Sequence, residues 1–192
     1  MDPSRLRIVH RSHFFPARPA LLRPREALGR RPETRRLMRL TVYWPGRTKN
    51  AALRELEEHY LRRIRPLASC EVVVTGTSRG LGERAAEKIL EIEARGLEIR
   101  LKDDYIVCLF DGGREMTSAE FARFLGEREA SGGRGTAFVV GGFLGLAGRI
   151  LDRADLKLSL SRMTMSHELC RVVLLEQIFR SLSLMKGHSY AK

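Results

Sequence analysis

The sequence predicts an α/β domain that consists of a largely parallel sheet with helices on both faces. Short β-branched, aromatic or aliphatic runs alternate five times with longer segments of helical periodicity. Strands joined through helices return to the sheet in the parallel direction. The runs at 105–110 and 136–140 are almost wholly apolar, which is typical of central strands that are buried on both sides.

Five strands are predicted, and each follows a break in the helical pattern. They span 39–44, 70–75, 105–110, 136–140 and 156–160. Their spacing leaves room for one helix after each strand, so the alternation continues to the end of the chain.

Five helices fill those intervals, at 49–64, 83–95, 117–129, 144–153 and 167–185. In the first helix Leu53, Tyr60 and Ile64 recur at helical spacing, and Pro66 ends the pattern.

The helix at 117–129 carries signals at both ends. Thr117 or Ser118 can cap its beginning, and Gly132 and Gly133 end it. Phe121 and its neighbours supply the apolar stripe.

Composition excludes several classes of protein. The chain has 192 residues, 43% of them apolar, which is enough for the core of one domain. No apolar run approaches the ~20 residues of a membrane helix. Three scattered cysteines predict neither a disulfide framework nor a zinc site, so we expect a reduced, cytoplasmic environment and no metal. The net charge of +12 favours a polyanionic partner.

Much of that charge lies near the amino terminus. Residues 1–37 contain ten arginines, three acidic residues and five of the seven prolines, which predicts a disordered extension. The folded domain is predicted to span 38–192, because Met38 immediately precedes the first strand. The extension is interpreted as a gene-start artefact or dispensable tail, an Arg-rich RNA-binding arm, or a targeting peptide.

Three polar or glycine-rich turns follow predicted strands. They are 111–113, 141–145 and 161–167. Ligands of open parallel sheets bind beyond the carboxyl ends of the strands, so these turns predict the functional site.

Residues 72–82 read VVVTGTSRGLG and resemble the cofactor turn of short-chain dehydrogenases. The Tyr-x-x-x-Lys pair of that family is absent, and only 110 residues follow Gly82. A basic loop before a helix is the favoured interpretation.

Four motifs stand in order along the last third of the chain. They are the Gly141-Gly142 turn, the segment LSLSRMTMSH at 158–167, the Arg171 and Glu176-Gln177 helix, and the terminal Gly-x-x-Tyr at 187–190. Together they closely resemble the ribosomal RNA large subunit methyltransferase H family of the SPOUT superfamily, over residues 38–192.

This resemblance implies a homodimeric, S-adenosylmethionine-dependent enzyme with a deep carboxyl-terminal trefoil knot and no metal. Its substrate would be N3 of a pseudouridine in large-subunit ribosomal RNA, on the ribosome. Position by position, the donor contacts fall on Leu109, Gly141, Leu160, Ser161, Arg162, Met163, Thr164 and Met165.

Substrate contacts are predicted on the last helix and at the terminus. His167 and Arg171 stand four residues apart and therefore share a helix face. Arg171 is assigned to RNA phosphate or to the developing negative charge, and His167 to the donor loop or the substrate. No catalytic base is assigned.

The terminus departs from the family, which commonly ends Tyr-His followed by Arg or Lys. Ala191 stands in place of that histidine, and His188 is a candidate substitute. Tyr190 could stack on a base and Lys192 could bind phosphate.

The helix at 167–185 has more apolar residues than one face needs, which suits burial between two subunits or full burial within one. Glu176 and Arg180 are predicted to form an ion pair.

A non-catalytic RNA-binding protein that keeps the fold is the alternative function.

Overall fold

Five parallel strands form the single sheet of the described part of the chain. A computed structural model describes residues 37–77, 81, 83–101 and 103–188. The strands are β1 (Arg39–Pro45), β2 (Ser69–Thr75), β3 (Tyr105–Glu115), β4 (Thr136–Val139) and β5 (Leu156–Ser159), in the order β2-β1-β4-β3-β5. Every neighbouring pair is parallel, which confirms the predicted fold class.

Helices connect these strands and cover both faces of the sheet. They are α1 (Ala51–Ile64), α2 (Ala86–Glu98), α3 (Ser118–Ala130), α4 (Gly148–Leu151) and α5 (His167–Met185). Side chains alternate between the faces along each strand. Val42 and Trp44 therefore pack with α1, α3 and α5, while Tyr43 packs with α2 and α4.

Helix α5 is held almost entirely within its own chain. It packs on α1 and α3, and its buried residues include Leu174, Leu175, Ile178 and Leu182. Most of the apolar residues of α5 are thus covered within the chain, while Leu169 and Leu184 are exposed. Burial of this helix between two subunits stays a prediction.

The strand and helix predictions were accurate at most boundaries. The fifth helix was predicted at 167–185 and is observed there. Thr117 caps α3 and forms a capping box with Glu120, and α3 is followed by Gly132 at a φ of +64°.

Two predictions were wrong. Residues 111–113 are not a turn but continue β3, which pairs again with β5 after a register shift between Leu109 and Arg114. The helix predicted at 144–153 is only the single turn of α4, because Gly145 closes a turn at a φ of +80° just before it.

Several predictions concern residues outside the described part of the chain. They are the extension as far as residue 36, the loop glycines Gly80 and Gly82, and the terminal residues Tyr190 and Lys192. The trefoil knot also stays a prediction. Among the described helices, none is long and apolar enough to span a bilayer.

Replacing Ile178 with Ala should lower the free energy of unfolding by about 3 kcal/mol, because Ile178 is fully buried under the sheet. The matched change Leu184→Ala, on an exposed position of the same helix, should cost less than about 1 kcal/mol. Urea denaturation followed by circular dichroism measures both. Equal losses would contradict this packing of α5.

Candidate functional site

A cavity of about 600 Å³ opens at the carboxyl edge of the sheet, beyond β3, β4 and β5. Three chain segments line it: 109–111, 140–146 and a stretch from 158 to 167, together with Cys170. The three predicted turns thus contribute to one site, although of 111–113 only Asp111 lines the cavity, and it does so as part of a strand. A parallel sheet brings these segments together because all its strands end at the same edge.

The wall at 141–145 is a tight turn that requires glycine. The Gly145 amide donates to the Gly142 carbonyl at 3.0 Å, and the two residues form an antiparallel bridge. A Cβ on Gly141 would lie 2.5 Å from the carbonyl carbon and oxygen of Gly145. The turn can therefore close only without a side chain at 141.

Serine hydroxyls shape the opposite wall. The Ser159 hydroxyl donates to the Ser161 carbonyl at 2.9 Å, and the Met163 amide donates to the Ser161 hydroxyl, also at 2.9 Å. The Ser166 hydroxyl then accepts from the Leu169 amide at 3.3 Å and caps α5. These short-range bonds fix a loop that has no regular secondary structure.

Most of the residues predicted to contact a methyl donor line this cavity. They are Leu109, Gly141, Leu160, Ser161, Met163, Thr164 and Met165. Arg162 is not among the lining residues: its side chain is 89% exposed and lies 3.8 Å from the carboxylate of Glu115. Whether these residues contact a donor stays a prediction.

His167 is the first residue of α5 and lines the cavity. Burial lowers the pKa of its imidazole below the ordinary value, and the nearby cations Arg171 and Lys49 lower it further against the opposing effect of Glu168. The neutral ring, which can accept a proton, is therefore its form at neutral pH.

Glu168 joins the beginning of α5 to the loop after β1. Its carboxylate accepts from the backbone amides of Lys49 and Asn50 at 2.7 and 3.2 Å. These bonds lower the pKa of Glu168 although burial acts in the other direction. The contact fixes the loop beside His167.

Arg171 occupies a different place from the one the sequence suggested. It is 1% exposed and is not among the cavity-lining residues. Its guanidinium donates to the Thr48 hydroxyl at 2.8 Å and to the Pro45 carbonyl at 2.7 Å, and it lies 5.0 Å from the Trp44 ring. These contacts indicate a structural role for Arg171, and its burial keeps the guanidinium out of reach of an RNA phosphate.

Sequence reasoning missed two buried carboxylates near Arg171. Glu57 accepts from the Thr48 hydroxyl at 2.5 Å, and Glu93 lies on the opposite layer. Burial raises the pKa of both carboxyls, while Arg171 lowers it. The signal was present, since each stands on the apolar stripe of its helix, Glu93 between Ile89 and Leu97.

Among the described residues, His188 and the pair of Glu176 and Arg180 do not line the cavity. His188 is exposed after the end of α5, where its amide donates to the Ser183 carbonyl at 2.9 Å. Arg180 pairs with Glu176 at 2.8 Å, as the ion-pair prediction required. Among the residues with described positions, no cluster of three or more His, Cys, Asp or Glu could hold a metal ion.

Comparison with known proteins matches most of the chain. A family model described as a predicted SPOUT methyltransferase matches residues 38–191. A ribosomal RNA large subunit methyltransferase H from Clostridium beijerinckii is 37% identical over 159 residues, which is 81% of this chain and 100% of the relative. One from Carboxydothermus hydrogenoformans is 35% identical with the same coverage.

The chain belongs to the ribosomal RNA large subunit methyltransferase H family. It is therefore a methyltransferase of the SPOUT class, as the four sequence motifs predicted. The dehydrogenase-like segment at 72–82 lies inside the region that the family model matches.

A solved structure of a probable methyltransferase from Bordetella pertussis Tohama I is more distant. It is 13% identical, covers 76% of this chain and 96% of that chain, and has a TM-score of 0.49. So distant a likeness carries no further conclusion.

Replacing Arg171 with Met should lower the free energy of unfolding by about 3 kcal/mol, since Thr48 and Pro45 lose a buried partner and nearby acids lose their cation. Arg162→Met is the matched control, and at 89% exposure it should change stability by less than about 0.5 kcal/mol. Urea denaturation gives both values. An Arg171→Met protein as stable as the wild type would show that the buried guanidinium is not structural.

Proposed function

We propose that this methyltransferase transfers the methyl group of S-adenosylmethionine to N3 of a pseudouridine in large-subunit ribosomal RNA. The observation that carries the proposal is that the segments 109–111, 140–146 and 158–167 line one cavity, in a chain whose relatives bear the name ribosomal RNA large subunit methyltransferase H.

The residues of the cavity fit such a donor in size and chemistry. The volume of the cavity, about 600 Å³, lies within the usual range of small-molecule sites. Leu109, Leu160 and Met165 provide apolar surface for an adenine ring, and the bare backbone at Gly141 allows close approach. Ser161 and Thr164 provide polar groups for the sugar or the amino-acid part of the donor.

S-adenosylmethionine supplies, when bound, a methyl group on a positively charged sulfur that a nucleophile can attack in line. The role of this chain is then mainly to hold the two reactants in that geometry. The glycine turn and the serine-fixed loop suit this role, because their own hydrogen bonds already determine their shape.

An imide nitrogen such as N3 carries a proton, which must leave before or during methyl transfer. Among the described lining residues, His167 combines a position in the cavity with an imidazole that is neutral at neutral pH. We assign His167 as the acceptor of the N3 proton. Its cationic neighbours Lys49 and Arg171 would also favour the negative charge of the imide as the proton leaves.

The partner and the assembly belong to the same proposal. The net charge of +12 favours binding to RNA, and a ribosomal substrate implies the cytoplasm. A homodimer would extend the small surface that one domain offers to a ribosome, and Phe143, a cavity-lining side chain that is 52% exposed, could be covered there.

The proposal is tested with ribosomes from a strain that lacks the gene. Protein and S-adenosylmethionine with a labelled methyl group are added, and the modified nucleoside is identified by mass spectrometry. The proposal predicts one N3-methylated pseudouridine in the large-subunit RNA. Label at another nucleoside would reject the proposed target, and donor binding without transfer to RNA would favour the non-catalytic alternative.

Replacing Gly141 with Ala should weaken S-adenosylmethionine binding at least about 10-fold, because the new Cβ would force the turn at Gly145 open. Gly148→Ala is the matched control, since a Cβ there meets nothing within 4 Å. Isothermal titration calorimetry measures both affinities. Equal affinities in the two variants would show that the turn does not take part in donor binding.

The pH dependence of the reaction should depend on His167. The proton acceptor must be neutral, so kcat/KM should fall as the pH drops through an apparent pKa below 6.5. His167→Gln should lower kcat/KM by about 100-fold and lose this acid limb.

His59→Gln provides the comparison, because His59 is exposed on α1 and is not among the lining residues. Its profile should match the wild type. An unchanged acid limb in His167→Gln would mean that another group accepts the proton.

A further inference from the structure

Glu93 is a buried carboxylate that the mechanism above does not use. It lies on α2, in the layer opposite to α5, and is 5% exposed. One oxygen, Oε1, accepts from the Thr77 hydroxyl at a long 3.4 Å. The other, Oε2, is buried and has no hydrogen-bond partner among the described residues. Such a group is costly to bury, so its place calls for a reason.

The carboxylate lies directly behind the glycine turn. A Cβ added to Gly142 would lie 2.6 Å from Oε2 and 3.0 Å from Oε1. Glu93 therefore occupies the space that any side chain at position 142 would need. It is not among the residues that line the cavity, whereas Gly142 is.

The contact joins two parts of the fold that the sequence separates by 49 residues. On one side, α2 is anchored to the sheet through Ala94 and Leu97. On the other side, Gly142 forms the bridge with Gly145 that shapes the cavity wall. A rigid helix thus supports a turn that has only one bridge of its own.

We propose that Glu93 is a positioning residue of the donor site, whose carboxyl group supports the 141–145 turn from behind and holds it in its ligand-binding shape. This inference rests on the proposed function, because it takes the cavity as the donor site. Glu93 touches neither donor nor RNA and acts through Gly142. The support comes from the shape of the carboxyl group, so an amide of the same shape should replace it.

A double-mutant cycle tests the contact itself. Gly142→Ala should destabilise the wild-type protein, because the methyl group meets the buried carboxyl group. In a Glu93→Ala background that space is free, so Gly142→Ala should cost clearly less free energy of unfolding. Equal costs in the two backgrounds would show that the residues do not interact and would overturn the proposal.

Donor binding tests the positioning role, with the affinity for S-adenosylmethionine measured by calorimetry. Glu93→Ala should weaken binding by about 10-fold, and Glu93→Gln should stay within about 3-fold of the wild type. In the transfer assay the KM for the donor should rise in Glu93→Ala while kcat changes less. Glu87→Ala, an exposed glutamate of the same helix, is the matched control and should behave as the wild type.

The outcomes separate the two proposals. A wild-type protein that binds no S-adenosylmethionine would overturn the proposed function and, with it, this role of Glu93. A wild-type protein that binds the donor, together with a Glu93→Ala variant that binds it equally well, would overturn the role of Glu93 alone. If Glu93→Gln bound S-adenosylmethionine as weakly as Glu93→Ala, the claim that the shape of the carboxyl group supports the turn would be overturned.

Discussion

The buried guanidinium of Arg171 is the constraint on which the functional edge of this protein depends. A charged group that is 1% exposed needs hydrogen-bond acceptors within the fold, because burial without partners is very costly. Its bonds to Pro45 and Thr48 join α5 to the end of β1 and to the loop that follows. His167, one helical turn earlier, is thereby fixed at the cavity.

The two helix layers contribute different parts of the same site. Helix α5, on one face, supplies His167 and continues directly from the serine-fixed loop. Helix α2, on the other face, carries Glu93 against the glycine turn. Both helix layers lie next to the cavity-lining segments at the carboxyl edge of the sheet. Substitutions in the packing on either face of the sheet can therefore alter the cavity.

The sequence pattern predicted the architecture well because α5, β1 and β4 are largely apolar runs with clear ends. It failed where tertiary contacts override local signals. Gly112 and Gly113 look like a turn, yet pairing with β5 after a bulge keeps them in β3. The helix predicted from 144 is reduced to one turn because the bridge between Gly142 and Gly145 uses that stretch of backbone.

The segments that line the candidate site could be predicted from the sequence, but the buried residues that hold them in place could not. The motifs identified the turns that line the cavity, since glycines and short hydroxyl side chains leave a local signature. Arg171 was assigned to RNA phosphate or to the developing negative charge because it shares a helix face with His167, and only the fold reveals that its side chain is buried. Glu57 and Glu93 gave the weaker signal of a carboxylate within an apolar stripe.

The central claim is that the cavity between the 109–111, 140–146 and 158–167 segments holds the methyl donor. A crystal structure of the protein grown with S-adenosylhomocysteine, the demethylated form of the donor, tests it most directly. The account predicts the adenine between Leu109 and Met165, with the sulfur facing His167. The ligand bound elsewhere on the protein, while this cavity stays empty at saturating concentration, would contradict it.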